Sequence, residues 1–554
     1  MTTNENMRNA ARIGMAASAG VLAAALTAAP ALAAGSPRTA EDGRLVTTTS
    51  GPVLGTVGSD VREFSGIPYA APPVGALRWT PPRPATPWSQ PRDATKPGPV
   101  CAQGPYNKPV GSTVSEDCLT LNVTTPRDAS AVRQKPVMVF LHGGDLTTGS
   151  GSQFEPRRMA AQGDVVVVTV NYRLGIFGFF GHAGLPGSGT FGLQDQQAAL
   201  RWIRRNAAAF GGDARNVTLF GQSAGAKSTC AQLTSPVAKG LFGKVIIQSA
   251  SCGSFTPTLY PGQPAPTTTD STKWRSLTEV DAQGGALSKT LGCEDQADAI
   301  ACLRGLGMDR LLAHTEEFGG AAYGTPTLPR DPEAAIRAGR FTKVPVVIGH
   351  TRDEGRMVTA ALVNPAIGGT PMTEQRYVEL TDQAYGARAA EVRRHYPPSA
   401  YTAAGAQWAP ALAWAAIETD RTTVCPVLRD ADAIARRTPV HAYEFADPDA
   451  PTWTAFPAGF PAGASHISDL TFLFDVNRPD GTPVTLSAAQ RSLAATMIGY
   501  WTAFAHGGTP VADRAPGWPA YAPGARHVQT LAPARIGGVD DATEHQCAFW
   551  KNAR

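Results

Sequence analysis

Residues 217–227 read VTLFGQSAGAK, a short apolar run that passes into a Gly-x-Ser-x-Gly pentapeptide centred on Ser223. A serine hydroxyl is a weak nucleophile. Acyl-transfer chemistry also needs a base to take its proton and a carboxylate to orient that base. The pentapeptide by itself carries little weight, because a chain with 57 glycines in 554 residues supplies roughly 0.4 such matches by chance. Its surroundings decide. The run before it reads as a buried strand and Ala224 onward can begin a helix, while Gly221 and Gly225 let the backbone pass where side chains would clash. Strand, sharp turn and helix lift a serine hydroxyl above a sheet at a helix N-terminus.

Three further stretches carry the other parts. PVMVFLHGGD (136–145) ends a strand at His142 and exposes bare backbone at Gly143 and Gly144, whose N–H groups, with that of Ala224, suit a developing oxyanion. VPVVIGHTRDEGR (344–356) sets Asp353 and Glu354 just past another strand, and by position either carboxylate fits the acid. GASHISDLTFLF (463–474) sets His466 in a small-residue loop after the next strand, in the chain order nucleophile, acid, base. His395 precedes that strand, and His506, His527 and His545 lie further on.

These loops need a rigid frame. Runs apolar on both faces at 136–141, 165–172, 217–220, 244–249, 344–349 and 440–445 read as buried parallel strands, with helix-like segments such as 193–210 between them. This alternation predicts an α/β fold in which helices flank a large, mostly parallel sheet. No internal repeat or linker divides the chain, so residues 34–554 are expected to form one domain. The stretch 256–270 reads as a surface loop or lid. A net charge of +4 without a long basic run argues against nucleic acid or an anionic membrane as partner. Arg8 and Arg12 precede an Ala-rich apolar run, and Ala31-Leu32-Ala33 has the form of a cleavage site, so residues 1–33 read as a signal peptide removed on secretion, leaving no membrane anchor. Eight cysteines without zinc spacing suit disulfides in an oxidising compartment. No metal or organic cofactor is implied.

The chain resembles the type-B carboxylesterases, α/β hydrolases that include carboxylesterases, fungal lipases and cholinesterases. The resemblance rests on FSGIPYAAPPVGALRW (64–79), SEDCLTLNV (115–123), VNYRLGIFGF (170–179), the long block 191–225, DEG at 353–355, and WTAFAHGGTP with WPAY (501–510, 518–521). It implies an α/β-hydrolase fold with a small N-terminal β-sheet, and it assigns Ser223 as nucleophile, Glu354 as acid and His466 as base. Gly144, Asp145 and Ala224 become the oxyanion donors, and Ser249 a serine hydrogen-bonding behind the triad. It also pairs Cys101 with Cys118, Cys293 with Cys302, and Cys425 with Cys547, leaving a bridge between Cys230 and Cys252 open.

Two departures touch the substrate. Gln222 stands where the family usually has Glu, and the loop CAQGPYNKPVGSTVSEDC between Cys101 and Cys118 has no tryptophan on which a choline group could stack. Neutral short-to-medium-chain esters are therefore expected in preference to choline esters. Asp145 replaces a small residue, and its carboxylate has to point away from the oxyanion or stay paired or protonated. The leading reading is a secreted serine hydrolase of carboxylic esters. Beside it stand a non-catalytic binding or adhesion protein on the same fold, and a true lipase acting on long-chain acylglycerols.

Overall fold

A computed structural model describes residues 43–104, 111–253, 274–294 and 298–551; the signal-peptide segment and the stretch 256–270 lie outside them. The described residues cluster as one compact unit. Its centre is an eleven-stranded sheet, numbered here along the chain. The strands are β1 (Thr56–Val57), β2 (Val61–Pro68), β3 (Thr120–Pro126), β4 (Lys135–Leu141), β5 (Val166–Val170), β6 (Gly212–Gln222), β7 (Lys244–Gln248), β8 (Val346–Thr351), β9 (Val440–Phe445), β10 (Val528–Ala532) and β11 (Arg535–Val539). Their spatial order is β11-β10-β9-β8-β7-β6-β4-β5-β3-β2-β1. β4 to β10 run parallel, and antiparallel strands extend the sheet at both edges. A small three-stranded sheet of Leu45–Thr48, Gly51–Leu54 and Arg92–Asp93 lies at the N-terminal end. This is the α/β-hydrolase architecture that the alternating pattern and the resemblance predicted.

The parallel strands are where the continuous apolar runs lie. All five residues of β5 and all six of β8 and β9 are buried, as strands covered by helices on both faces must be. The helices that position the site are α1 (Phe191–Asn206), α2 (Ala224–Thr234), α3 (Gly355–Val363), α4 (Cys425–Ala435) and α5 (Ala488–Gly507). In α1, Leu193, Leu200 and Ile203 are buried, and Arg204 and Arg205 sit in the last turn, where cations complement the carbonyl end. α5 starts on a reciprocal cap: Ser487 Oγ accepts from Gln490 N (3.3 Å) while Gln490 Oε1 accepts from Ser487 N (2.9 Å). It stops at Gly508, whose φ of 81° is the left-handed conformation glycine adopts cheaply.

Four disulfides lock this frame. Cys101–Cys118, Cys293–Cys302 and Cys425–Cys547 form as the resemblance implied, and Cys230–Cys252 also forms, with its Cα atoms 5.3 Å apart. The last ties α2 to the segment after β7. No helix among the described residues is long and apolar enough to cross a membrane.

Candidate active site

β6 ends at Gln222, and Ser223 turns the chain into α2 with φ 57° and ψ −122°, a conformation that β-carbon-bearing residues rarely adopt. The turn is held from both sides. Ser223 N donates to Gln248 O on β7 (2.9 Å), and Lys227 N donates to Ser223 O (3.0 Å) as the helix begins. The flanking glycines are sterically compelled: a Cβ on Gly225 would stand 1.9 Å from Leu141 O, and one on Gly221 would stand 2.5 Å from Gly225 O. The cost of the strained serine is met by a neighbourhood that leaves the backbone no other route.

The loop after β4 runs directly over this turn. A Cβ on Gly143 would lie 3.0 Å from Gln222 O and 3.1 Å from Ser223 Cβ. Gly144 has φ 101°, and Asp145 and Leu146 have φ 62° and 61°, so three successive residues take left-handed backbone. The turn closes through Gly144 O, which accepts from Thr147 N (3.0 Å) and Thr148 N (2.9 Å). Asp145 is exposed, and its charge reaches His466. His142, buried at the base of the loop and stacked on Tyr172, is pushed down to about 4 by burial and stays neutral.

The two acidic candidates separate by contact. Glu354 Oε2 bonds His466 Nδ1, and Glu354 Oε1 accepts from Thr351 N (2.8 Å). Asp353 turns the other way: its Oδ2 accepts from Ala464 N (2.9 Å), its N donates to Ala464 O (2.9 Å), and it pairs with Arg356 (2.8 Å). Asp353 thus braces the loop that carries His466, while Glu354 touches the imidazole itself. Glu354 is buried, to 3% exposure, while His466 is half-buried. Burial alone would raise Glu354 and lower His466; their mutual charge and hydrogen bond outweigh it, holding Glu354 below and His466 above their ordinary values. Asp469 and Asp145 add to the pull on His466.

With Nδ1 bound to Glu354, the Nε2 atom of neutral His466 is left as the proton acceptor. The buried Gln222 side chain stands 3.2 Å from it through Nε2. Among the described residues Ser223 Oγ makes no hydrogen bond to His466, and Gln222 occupies that nitrogen; catalytic hydrogen bonds of this kind often tighten only with substrate in place.

Two residues differ from expectation. Ser249 Oγ, expected to hydrogen-bond behind the triad, is buried and has no partner among the described residues, although Ser249 N donates to Gly349 O (2.8 Å). The buried carboxylate that acts on His466 by charge is Asp469, which sequence reasoning passed over. Its Oδ2 accepts from Gln248 Nε2 (2.9 Å) and Tyr443 OH (3.2 Å), and burial and the charge of Glu354 raise it to about 6. It stands three residues after His466, a spacing visible in HISD, but only the fold shows that it turns inward.

Comparison with known proteins identifies the family. Residues 42–550 match the Carboxylesterase family. The chain is 34% identical to the para-nitrobenzyl esterase of Bacillus subtilis (strain 168) over 86% of its own length and 92% of the relative's. It is 30% identical to a cocaine esterase of Homo sapiens, over 92% and 91% of the two chains. Among solved structures, a thermophilic PNB esterase superposes with a TM-score of 0.72 at 30% identity, covering 91% of this chain and 99% of that one. The chain belongs to the carboxylesterase family, and it is a carboxylic ester hydrolase.

Proposed function

We propose that the protein is a secreted serine esterase that cleaves neutral short-to-medium-chain esters through an acyl-enzyme. The observation that carries the proposal is the Glu354–His466 contact beside the strained Ser223 turn. Neutral His466 takes the Ser223 proton as the hydroxyl attacks the ester carbonyl, with Gln222 yielding Nε2 to the serine. Backbone N–H groups of Gly144, Asp145 and Ala224 hold the oxyanion, each donor of this kind contributing about 3–4 kcal/mol. The imidazolium, held by Glu354, then protonates the leaving alcohol, and His466 activates water to release the acid. Export is supported by the leader-like N-terminus and the four disulfides.

Substrate charge follows from Gln222. An amide offers a cationic alcohol no charge, and the Cys101–Cys118 loop offers it no tryptophan face. A panel of p-nitrophenyl esters of rising acyl length, p-nitrobenzyl esters and acetylthiocholine tests the reading, with burst kinetics to reveal the acyl-enzyme. Turnover is expected to peak on short-to-medium neutral esters. A strong kinetic preference for acetylthiocholine, activation only on long-chain emulsions, or no turnover at all would overturn it.

A further inference from the structure

On the strand that leads to Glu354 and on its neighbour lies a second cluster of ionisable groups, which touches the site above only through the charge of His350 on Glu354. His350 on β8 and Glu444 on β9 are register partners on adjacent parallel strands. Asp541 and His545 stand one helical turn apart at the C-terminal segment, with Asp541–Glu544 helical. All four are buried: His350 is 0%, Asp541 and Glu444 are each 1%, and His545 is 5% exposed.

Each histidine has its Nδ1 atom engaged elsewhere. His350 Nδ1 lies 3.1 Å from Thr351 O, and His545 Nδ1 lies 2.6 Å from Asp420 Oδ1. Asp420 is itself held by Tyr396 OH (2.7 Å). An Nδ1–H given to a carbonyl or carboxylate is the arrangement that orients metal-binding imidazoles, because it leaves the Nε2 lone pair facing the ion. Both Nε2 atoms converge on Asp541. His350 Nε2 is 2.9 Å from Asp541 Oδ2, and His545 Nε2 is 3.6 Å from Asp541 Oδ1 and 3.6 Å from Glu444 Oε1. One ligand atom from each of His350, Asp541 and His545 lies within 4.8 Å of the others.

Three atoms at this point have no hydrogen-bond partner among the described residues: His545 Nε2, Glu444 Oε1 and Asp541 Oδ1. Their 3.6 Å separations are too long for hydrogen bonds. They are close to the edge of a tetrahedron around a zinc ion, about 3.4 Å for ligand distances near 2.1 Å. Glu444 is oriented by its other oxygen, which accepts from Thr530 Oγ1 (2.9 Å). Three buried carboxylates, Asp420, Glu444 and Asp541, also demand positive charge.

We propose that His350, His545 and Asp541 form a structural divalent-cation site of zinc type, with two imidazole nitrogens and a carboxylate oxygen as ligands and the Glu444 carboxylate beside them as a charge partner. The donor set suits zinc better than magnesium or calcium, which favour oxygen alone. The ion joins the C-terminal segment, already fastened by Cys425–Cys547, to the strand whose end carries Glu354. Local sequence spacing could not reveal it, because only the Asp541–His545 pair is close in the chain.

Full-length protein produced in zinc-supplemented medium, then dialysed against EDTA, should retain about one zinc per chain by elemental analysis, since a fully enclosed site exchanges slowly. His545→Gln and Asp541→Asn should each reduce retained zinc at least tenfold and lower Tm. In the wild type alone, X-ray absorption at the zinc edge should give a first shell with two imidazole nitrogens and otherwise oxygen. Folded, active wild type without zinc would overturn the proposal and leave the cluster held by protons or water. Zinc retained equally in both variants, or a sulfur-rich first shell, would overturn it as well.

Discussion

Replacing Gly144 by alanine tests the oxyanion loop. At φ 101° an L-residue is strained, and the new Cβ would stand 2.3 Å from Thr148 O and 2.8 Å from Thr148 Oγ1. The backbone oxygen cannot rotate aside, and it belongs to the turn that Gly144 O closes with Thr147 N and Thr148 N. Relief therefore requires the 144–148 turn to reopen, which carries the Gly144 and Asp145 N–H groups away from Ser223. Left-handed strain contributes about 1–2 kcal/mol of destabilisation, small for a loop tip on a large frame. Loss of a single oxyanion donor costs about 3–4 kcal/mol in the transition state, or roughly 10²–10³ in kcat. The expected result is kcat for p-nitrophenyl acetate lowered by roughly that factor, with KM changed by less than about threefold because the donors act in the transition state. Tm should move by only a few degrees. A folded Gly144→Ala enzyme with kcat within about threefold of wild type would refute the assignment of this loop as the oxyanion hole.

His466 has to be neutral to accept the Ser223 proton, and Glu354 holds its pKa above 6.5, so kcat/KM should rise with pH through a midpoint above 6.5 and fall away in acid. Asp145→Asn removes one of the charges that raise His466, and should move that midpoint to lower pH without abolishing turnover; an upward movement would contradict the electrostatics. Gln222→Glu sets a carboxylate where the amide now stands 3.2 Å from His466 Nε2, so the midpoint should move to higher pH and acetylthiocholine should gain relative to neutral esters. An unchanged selectivity ratio would show that position 222 does not read substrate charge. The Cys425–Cys547 bridge spans a sequence separation of 122, against 9 for Cys293–Cys302. Chain entropy then assigns about 5 kcal/mol to the first and about 2.6 kcal/mol to the second. Denaturant unfolding of the two double Cys→Ser variants should rank in that order.

Much of this was legible in the sequence where the physics is local. Buried parallel strands must be apolar on both faces, so the runs that became β4 to β9 stood out, whereas β10 and β11, at the C-terminal edge, did not. The turn at Ser223 was legible because it needs glycines at fixed offsets, and the loop of His466 because it follows the strand at 440–445. Asp353 and Glu354 were indistinguishable from the residues themselves, since neighbours at one strand end differ only in which way they turn. The family resemblance chose Glu354, and its bond to His466 now gives that choice a geometric basis. Cys230–Cys252, Asp469 and the four residues around Asp541 were not legible, because each depends on distances between segments that no local pattern encodes.

The central claim is that Ser223 is the nucleophile, and kcat/KM of Ser223→Ala on a p-nitrophenyl ester tests it most directly. The account predicts a fall of at least about 10⁴-fold with Tm close to wild type, leaving only what the oxyanion loop and binding provide. Hydrolysis by a folded Ser223→Ala protein at the wild-type rate would contradict it.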